Sequence, residues 1–289
     1  MPELPEVETI RRSLSQSLVG KIVKEVEILE PKMFIGAVHD IVMKKIIDVT
    51  RVGKVLTFKL SNDKYISIHL KLTGQLLYAE DRSHAIYPNE IPLSYSKQMP
   101  GKTTHVIIDF TDGSALFFND LRKFGWMKVL DLAEEPKGTD ILSPDFTLNY
   151  FEEVVGKSRK PIKVLLMDQD KMSGIGNIYA NDSLHLAGVH PTRIASSLGP
   201  LEVKKLYDAI ITTIDQGIKY RGSSSHDEMF VVPDGTKGQY QNHFRVYRME
   251  GKTCKVCGAQ IERIKQAGRS SFFCPVCQPK NPDKSPTLF

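Results

Sequence analysis

The sequence predicts an α+β protein in which a β-sandwich behind one N-terminal helix precedes a helical domain. Residues 21–131 alternate short segments rich in β-branched residues with turns built from Gly, Asn and Asp. After residue 146 the apolar residues recur at helical spacing instead. Because strands come first and helices second, we expect the two kinds of element to form separate domains.

The length and composition narrow the class of protein further. The chain has 289 residues, about twice the usual size of a domain, so two domains are expected. Its composition, 41% hydrophobic and 25% charged, excludes disordered, collagen-like and coiled-coil proteins. It contains no run of about 18 apolar residues, and its acidic N-terminus lacks the features of a secretory signal. A cytoplasmic protein is therefore predicted.

The first predicted element is a helix that begins near Pro5. Proline suits the first turn of a helix, and acidic residues there complement the helix dipole. Apolar residues follow at helical spacing until Gly20, at Val7, Ile10, Leu14 and Leu18. Six strands are predicted next, with the sequences KIVKEVEI, KKIIDVT, KVLTFKL, KYISIHL, THVIIDF and SALFFND.

Residues 132–146 hold two prolines, a glycine and four acidic residues, and predict an interdomain linker. Helices are expected at about 147–157, 160–168, 177–186 and 199–220. Segments 82–103 and 221–240 are predicted to be long loops. The second is polar and rich in Gly and Ser, which is typical of a functional loop, and Gly222 and Gly235 are candidate hinges.

The four cysteines of the chain form a metal-ligand pattern at its C-terminal end. Two C-x2-C pairs are separated by sixteen residues, and they are Cys254, Cys257, Cys274 and Cys277. This spacing is typical of a tetrahedral four-thiolate zinc site. Disulfides or unrelated thiols are the alternatives, and a reducing cytosol disfavours disulfides. We therefore predict one structural Zn²⁺ per chain, held in a zinc ribbon.

The positive charge of the chain is concentrated around these cysteines. Residues 240–289 carry nine Lys and Arg against three acidic residues, a net charge of +6, whereas residues 1–239 carry −1. A basic patch of this kind can bind a polyanion such as nucleic acid. A solvated basic tail is the other interpretation, and charge alone does not decide between them.

The N-terminus offers a second candidate for chemistry. Removal of Met1 would leave Pro2 as the first residue, with a secondary amine that is partly unprotonated at neutral pH. Such an amine can attack an aldehyde-level carbon to form an iminium, and the neighbouring Glu3 can move protons. An ordinary Pro-Glu helix start is the competing interpretation.

Six motifs then occur in an order that is typical of one family. They are PELPEVETIRR at the start, RVGK at 51–54, HLKLTG at 69–74, NDLRKFG at 119–125, GIGNIYANDSL at 174–184 and GRSSFFCPVCQ at 268–278. Over nearly its whole length the chain resembles the formamidopyrimidine-DNA glycosylase family. These bifunctional enzymes remove oxidised purines from DNA. The sister endonuclease VIII group usually begins PEGPE, so Leu4 favours the formamidopyrimidine branch.

The resemblance implies roles for catalytic residues. Pro2 would be the nucleophile at the deoxyribose C1′, and Glu3 would be the proton shuttle that helps to open the sugar ring. Lys54 would contact the lesion-site phosphate and transfer protons. The alternative is an exposed lysine at the edge of a strand, which is the commoner position for this residue type. Arg269 would contact phosphate and take part in δ-elimination.

The resemblance also implies DNA-binding residues. Leu72, Arg122 and Phe124 would fill the gap left by the extruded base, although Phe124 could instead pack in the core and Arg122 form a surface ion pair. Asn177, predicted to cap a helix, would contact phosphate in a helix–two-turn–helix element. Arg159 and Lys163 match further DNA contacts. The chain departs from the family at Leu72, usually methionine, and at Thr103, which replaces a DNA-contact histidine.

These expectations define the predicted domains and function. The domains are a catalytic β-sandwich at 1–131, a linker at 132–146, a helix–two-turn–helix domain with a lesion-capping loop at 147–243, and a zinc finger at 244–289. The predicted protein is a monomeric glycosylase and lyase that acts on duplex DNA with oxidised purines or abasic sites, in the cytoplasm at the nucleoid of a bacterium. An endonuclease VIII-like enzyme for oxidised pyrimidines and a non-catalytic zinc-ribbon DNA-binding protein are the alternatives.

Overall fold

The structure is a computed structural model that describes residues 2–92, 96–134, 137–224 and 230–280. It contains two compact units. The first comprises Met1–Glu135 with Ile218–Gln241, and the second comprises Pro136–Gly217 with Asn242–Phe289. The first unit is rich in strands and the second in helices, so the predicted α+β class is confirmed. Within the described ranges, no helix is both long and apolar enough to cross a membrane.

The first unit is a two-sheet sandwich with one helix. Its elements are α1 (Leu4–Leu18), β1 (Val23–Ile28), β2 (Phe34–Ile35), β3 (Ile46–Val52), β4 (Val55–Leu60), β5 (Tyr65–His69), β6 (Gly74–Ala79), β7 (Ile86–Ile91), β8 (Ser96–Gln98), β9 (Thr104–Phe110), β10 (Ala115–Asp120) and β11 (Trp126–Leu130). One sheet has the order β1-β9-β10-β6 and the other β2-β11-β5-β4-β3. Their pairings are antiparallel except for β2 with β11. All six predicted strands are present, whereas β2, β6 and β11 of these two sheets were not predicted.

The core of this unit lies between the two sheets and the inner face of α1. The apolar residues predicted at helical spacing in α1 are all buried, together with alternate residues of both sheets. In β9 and β10, Ile108 and Phe118 belong to this core, whereas Ile107 and Phe117 point to the opposite face. The two strands are therefore buried on both sides, which explains their nearly continuous apolar sequences.

Segment 82–103 contains the hairpin β7–β8, so the prediction of a long loop is wrong here. The hairpin covers the second apolar face of the first sheet. Tyr87, Ile91 and Met99 pack with Ile107 and Phe117 in a separate hydrophobic cluster. Without this cover, that face of the sheet would expose a large apolar patch.

The segment Ile218–Gln241 also belongs to the first unit, whereas the predicted domain of 147–243 placed it with the helices. The proposed loop at 221–240 falls partly on residues 225–229, which lie outside the described residues. The candidate hinges are tightly packed. A Cβ at Gly222 would lie 2.8 Å from Glu6 Cγ, and one at Gly235 would lie 2.6 Å from Tyr87 Cδ1. Both glycines also have positive φ, so they are sites of close approach.

The second unit holds the remaining elements. They are β12 (Thr139–Asp140), α2 (Leu148–Gly156), α3 (Ile162–Leu166), β13 (Met172–Ser173), α4 (Asn177–Ala187), α5 (Pro200–Lys219), β14 (Glu262–Gln266) and β15 (Arg269–Phe273). The four predicted helices are present at nearly the predicted bounds, and the last two residues of α5 fall in the first unit. Part of the predicted linker forms β12, which pairs in parallel with β13. The linker and domain bounds stay predictions.

Candidate active site and metal centre

The first turn of α1 holds the predicted N-terminal pair in a buried position. Pro2 is buried, and Glu3, the N-cap of α1, is 3% exposed. The Glu6 carboxylate accepts hydrogen bonds from the backbone N–H of Glu3 at 2.9 Å and of Ser223 at 2.8 Å. One buried carboxylate therefore joins the start of the chain to a segment more than two hundred residues later.

A second set of contacts joins α1 to the turn that carries Lys54. The Arg51 guanidinium donates to Glu8 Oε2 at 3.1 Å and to the carbonyl of Gly53 at 2.8 Å. Gly53 lies in the tight turn between β3 and β4, with a φ of 57°. Lys54 follows it and is only 8% exposed, unlike the exposed strand-edge lysine that was the alternative interpretation. Glu8 and Arg51 position this turn, a role that was not predicted from the sequence.

We expect Glu8→Gln to destabilise the first unit by about 2 kcal/mol at pH 7, because hydrogen bonds to charged groups are lost and Arg51 is buried. Burial by itself raises the pKa of Glu8, but hydrogen bonds from Arg11, Arg12 and Arg51 outweigh it and lower the pKa to about 2. A carboxylate with a lowered pKa stabilises the fold above its ordinary pKa of 4.5, and this contribution disappears as the pH falls towards 2.

Urea unfolding of both proteins from pH 7 to pH 3 measures this effect. The difference between them should shrink below pH 4.5. Glu153→Gln is the control, since it removes a surface ion pair with Lys157 and should change little. An equal loss of stability in the two variants would contradict the role of Glu8.

His69 lies close to Lys54 in the sheet. It is paired across β4 and β5 with Val55, the residue that follows Lys54. Burial, and then the positive charges of Lys71, Lys54 and Lys128, lower the pKa of His69 to about 3. The imidazole is therefore neutral at pH 7, and its Nδ1 accepts the backbone N–H of Lys71 at 3.0 Å. The local field is positive, which suits an anionic ligand.

Asp120 organises the two loops that carry the predicted wedge residues. Its fully buried carboxylate accepts the N–H of Arg122 at 3.1 Å and that of Gly125 at 2.7 Å, and also the hydroxyl of Thr73. Thr73 Oγ1 in turn accepts the N–H of Arg122 at 3.1 Å. The β5–β6 and β10–β11 loops are thus joined. Asp120 belongs to the motif NDLRKFG, but no role was predicted for it from the sequence.

The wedge residues themselves are exposed. Leu72 is 36% exposed and Phe124 is 57% exposed, so the alternative of core packing for Phe124 is excluded. The Arg122 guanidinium lies 5.9 Å from the centre of the Phe124 ring. In the described part of the chain Arg122 forms no salt bridge, so the structure gives no support to the surface ion pair. An exposed apolar and cationic pair on a rigid support is suited to contact bases and phosphates.

Thr103 does not share this exposure. It is 6% exposed, and its carbonyl accepts the N–H of Asp120 at 2.9 Å. His105, also buried, donates from Nε2 to the carbonyl of Asp120 at 2.8 Å. The backbone of Thr103 therefore has a structural role beside Asp120, and its DNA contact stays a prediction.

In the second unit the predicted capping role of Asn177 is wrong. The N-cap of α4 is Gly176, in an extended conformation, and Asn177 is the first helical residue. Its side-chain oxygen instead accepts from Asn181 Nδ2 at 3.3 Å. Gly176 has no side chain that could accept a hydrogen bond from the first N–H groups of α4. The N-terminus of α4 therefore still suits an anion.

The other predicted DNA contacts differ in exposure. Arg159 and Arg269 are exposed, whereas Lys163 is 2% exposed and donates from Nζ to Ser270 O at 2.7 Å and to Ser271 Oγ at 2.9 Å. Lys163 therefore joins α3 to β15, and its DNA contact stays a prediction. A cavity of about 320 Å³ lies beside this link, and Arg269 is among its lining residues.

The four cysteines fit a tetrahedral metal ion. Their sulfur atoms all lie within 4.8 Å of one another. Cys254 and Cys277 are 3.9 Å apart at Sγ, and Cys257 and Cys274 are 3.3 Å apart. A zinc ion with bonds of about 2.3 Å requires sulfur–sulfur edges of about 3.8 Å, which this cluster matches. Four thiolates fill the coordination sphere, so the implied zinc is structural.

Polar residues of α4 and its neighbourhood hold this finger in place. Asn181 Oδ1 accepts the N–H of Phe272 at 2.7 Å. The Asp182 carboxylate accepts the N–H groups of Val246 at 3.1 Å and Tyr247 at 3.2 Å. These residues are fully buried, so the polar face of α4 is an internal support for the finger. The sequence motif predicted a role only for Asn177, so the support given by Asn181 and Asp182 became visible in the folded structure alone.

Three domain families match the chain. They are described as the formamidopyrimidine-DNA glycosylase N-terminal domain, over residues 1–127, the formamidopyrimidine-DNA glycosylase H2TH domain, over residues 137–229, and a zinc finger found in FPG and IleRS, over residues 251–280. Together they cover both structural units.

Full-length relatives are similar over almost the whole chain. The formamidopyrimidine-DNA glycosylases of Pelotomaculum thermopropionicum and Desulforamulus reducens are 37% and 38% identical, with 96% of this chain and 99% of each relative covered. The crystal structure of the MutM (Fpg) protein of Thermus thermophilus is 31% identical with a TM-score of 0.83, and it covers 97% of this chain and 100% of its own. A Lactococcus lactis Fpg complex with DNA containing an abasic site is 31% identical, with coverage of 96% and 100% and a TM-score of 0.82. Another Lactococcus lactis complex, with Fapy-dG DNA, is 32% identical, with the same coverage and a TM-score of 0.81.

Proposed function

The chain belongs to the formamidopyrimidine-DNA glycosylase family, and on this premise we propose that it excises oxidised purines from duplex DNA and then cleaves the strand at the abasic site. It is a DNA glycosylase of base excision repair. Its substrates are 8-oxoguanine and formamidopyrimidine lesions, and it acts as a monomer on the nucleoid in the bacterial cytoplasm. The observation that carries this proposal is the buried Pro2–Glu3 pair, held in place by Glu6.

The chemistry begins at the amine of Pro2 after removal of Met1. Its lone pair attacks the deoxyribose C1′, the glycosidic bond breaks, and the damaged base leaves with the bonding electrons and takes up a proton. The nitrogen loses its proton to Glu3, which passes a proton to the ring oxygen as the bond from C1′ to that oxygen breaks. The lone pair of the nitrogen then forms the second bond to C1′, which leaves a covalent iminium between Pro2 and C1′. The iminium draws electrons from the sugar, so the β and then the δ phosphate can be eliminated. Lys54 and Arg269 bind phosphate during these steps.

The remaining residues hold the DNA in the required conformation. Extrusion of a base leaves a gap in the stack, which Leu72 and Phe124 fill while Arg122 pairs with the orphaned base. Arg159 and the first turn of α4 at Asn177 bind backbone phosphates. The structural zinc, held by the four cysteines, keeps the finger folded so that Arg269 is presented on its hairpin.

A lesion panel tests the function as a whole. Duplexes with 8-oxoguanine, with an oxidised pyrimidine or with an abasic site are treated with borohydride, which traps the iminium as a stable protein–DNA adduct. Trapping on 8-oxoguanine and abasic duplexes is expected. Preference for the oxidised pyrimidine would indicate an endonuclease VIII-like enzyme, and absence of any adduct would indicate a non-catalytic DNA-binding protein.

The wedge gives a separate prediction. Arg122→Ala should reduce discrimination between bases opposite the lesion by about 1–3 kcal/mol, since a bidentate contact to a base edge is lost. Excision rates on the four opposite-base duplexes measure this effect. Lys123→Ala is the matched control, because Lys123 is the exposed neighbour whose partner is Glu30. Unaltered opposite-base preference in Arg122→Ala would contradict the assignment.

A further inference from the structure

We propose that His185 is a positioning residue for the zinc site, which donates a hydrogen bond from Nε2 to the thiolate of Cys254. Through this bond, retention of zinc by the finger depends on helix α4. His185 lies in the last turn of α4, is 6% exposed, and places Nε2 3.5 Å from Cys254 Sγ. The sequence motif GIGNIYANDSL ends one residue before it, so the predicted function assigned His185 no role.

The donor and the acceptor follow from the chemistry of the two groups. A zinc-bound thiolate can only accept, so the ring nitrogen that faces it must carry the proton. His185 therefore carries N–H at Nε2, and in the tautomer that we propose Nδ1 has the lone pair. Consistent with this tautomer, Nδ1 is buried and has no donor or acceptor within reach among the described residues. His185 is outside the group of four ligands whose donor atoms lie within 4.8 Å of one another, so it does not compete for the metal.

Cys254 needs a donor from the protein because water does not reach it. It is 2% exposed, and the other buried ligand, Cys274, is fully buried. Cys274 Sγ accepts the backbone N–H of Cys277 at 3.4 Å, whereas among the described residues the donor that faces Cys254 Sγ is His185. Four thiolates leave a zinc site with a net negative charge, and hydrogen bonds to sulfur stabilise that charge and hold the ligands in place.

The position of the ring is determined by the same helix face that supports the finger. Asn181 and Asp182 precede His185 by four and three residues, so all three lie on one face of α4. The first two hold Phe272 and Val246 by their backbone N–H groups. The imidazole therefore meets Cys254 at a fixed place, and α4 supplies support both to the backbone of the finger and to its metal ligand.

Zinc release tests the proposal without reference to activity. The rate of zinc transfer from the purified zinc-loaded protein to a chromogenic chelator is measured for three variants. His185→Phe keeps a ring of similar size without a donor and should release zinc about 10- to 100-fold faster. His185→Gln keeps an N–H donor at nearly the same distance and should stay within about threefold of the natural protein. His190→Phe is the control, since His190 is buried against Phe273 and hydrogen-bonds with Thr192, and it should leave the rate unchanged.

Two results would overturn the proposal. The first is that His185→Phe retains zinc as long as the natural protein. The second is that His185→Gln releases zinc as fast as His185→Phe, which would mean that packing of the ring, and not its N–H donor, retains the zinc. A measurement on the natural protein covers the case in which a variant fails to fold. The ¹⁵N NMR spectrum of the zinc-loaded protein should show His185 protonated at Nε2 and not at Nδ1, and the opposite tautomer would also contradict the hydrogen bond.

Discussion

A chain with a fixed extension before Pro2 is expected to bind lesion DNA yet form no covalent adduct and cleave no strand. In such a chain the nitrogen of Pro2 is a tertiary amide, which has no lone pair available for attack on C1′. Lys54, Arg122 and the zinc finger are unchanged, so binding should persist. The measurement is borohydride trapping and strand cleavage on matched 8-oxoguanine and abasic duplexes, together with a binding assay on an uncleavable abasic analogue.

Glu3→Gln separates the nucleophile from the proton shuttle. The amine of Pro2 remains, so an adduct should still be trapped at a preformed abasic site, while excision of 8-oxoguanine falls by about 10²–10⁴ as acid–base catalysis is lost. The matched control is Glu25→Gln on β1, an exposed acidic residue elsewhere in the first unit. The outcome that would contradict the nucleophile concerns the other protein, the chain with an extension before Pro2. If that chain cleaves DNA as fast as the chain that begins at Pro2, Pro2 is not the nucleophile.

The second large effect is expected from Cys257→Ser. Zinc binding supplies much of the folding free energy of a small finger, about 10–16 kcal/mol in isolated zinc-finger peptides. Loss of one ligand should release the metal, unfold residues around β14 and β15, and reduce DNA affinity. Asn181 and Asp182 would then lose the backbone partners that satisfy them, so the second unit should also melt at a lower temperature.

The first unit provides an internal control for this variant. Its own core lies between the two sheets and α1, so its unfolding transition should remain. Val256→Ser is the matched substitution, because Val256 lies between two of the ligands and is 70% exposed. Zinc content by atomic emission and thermal unfolding followed by calorimetry measure both effects. One zinc per chain and unchanged DNA affinity in Cys257→Ser would contradict the structural role.

Local patterns predicted much of this fold. The spacing of apolar residues is a property of a few consecutive turns, so α1 and the four later helices could be located from the sequence. Strands buried on one or both faces were recognised by their β-branched residues. The strands β2, β6 and β11 and the hairpin β7–β8 were not recognised. Their sequences are short or alternate less clearly, and these strands depend on partners elsewhere in the chain.

In the site, too, local sequence patterns located some residues, whereas others depended on contacts between distant segments. The cysteine spacing by itself determined the metal centre, because ligands in two tight turns need no distant contact to be recognised, and the family motifs located Pro2 and Glu3. Only the tertiary structure decided that Lys163 is buried against Ser271, more than one hundred residues away, and that Asp120 joins the two loops of the wedge. A sequence records which residues are near in the chain, whereas burial and the pairing of polar groups depend on which distant segments the folded core brings into contact.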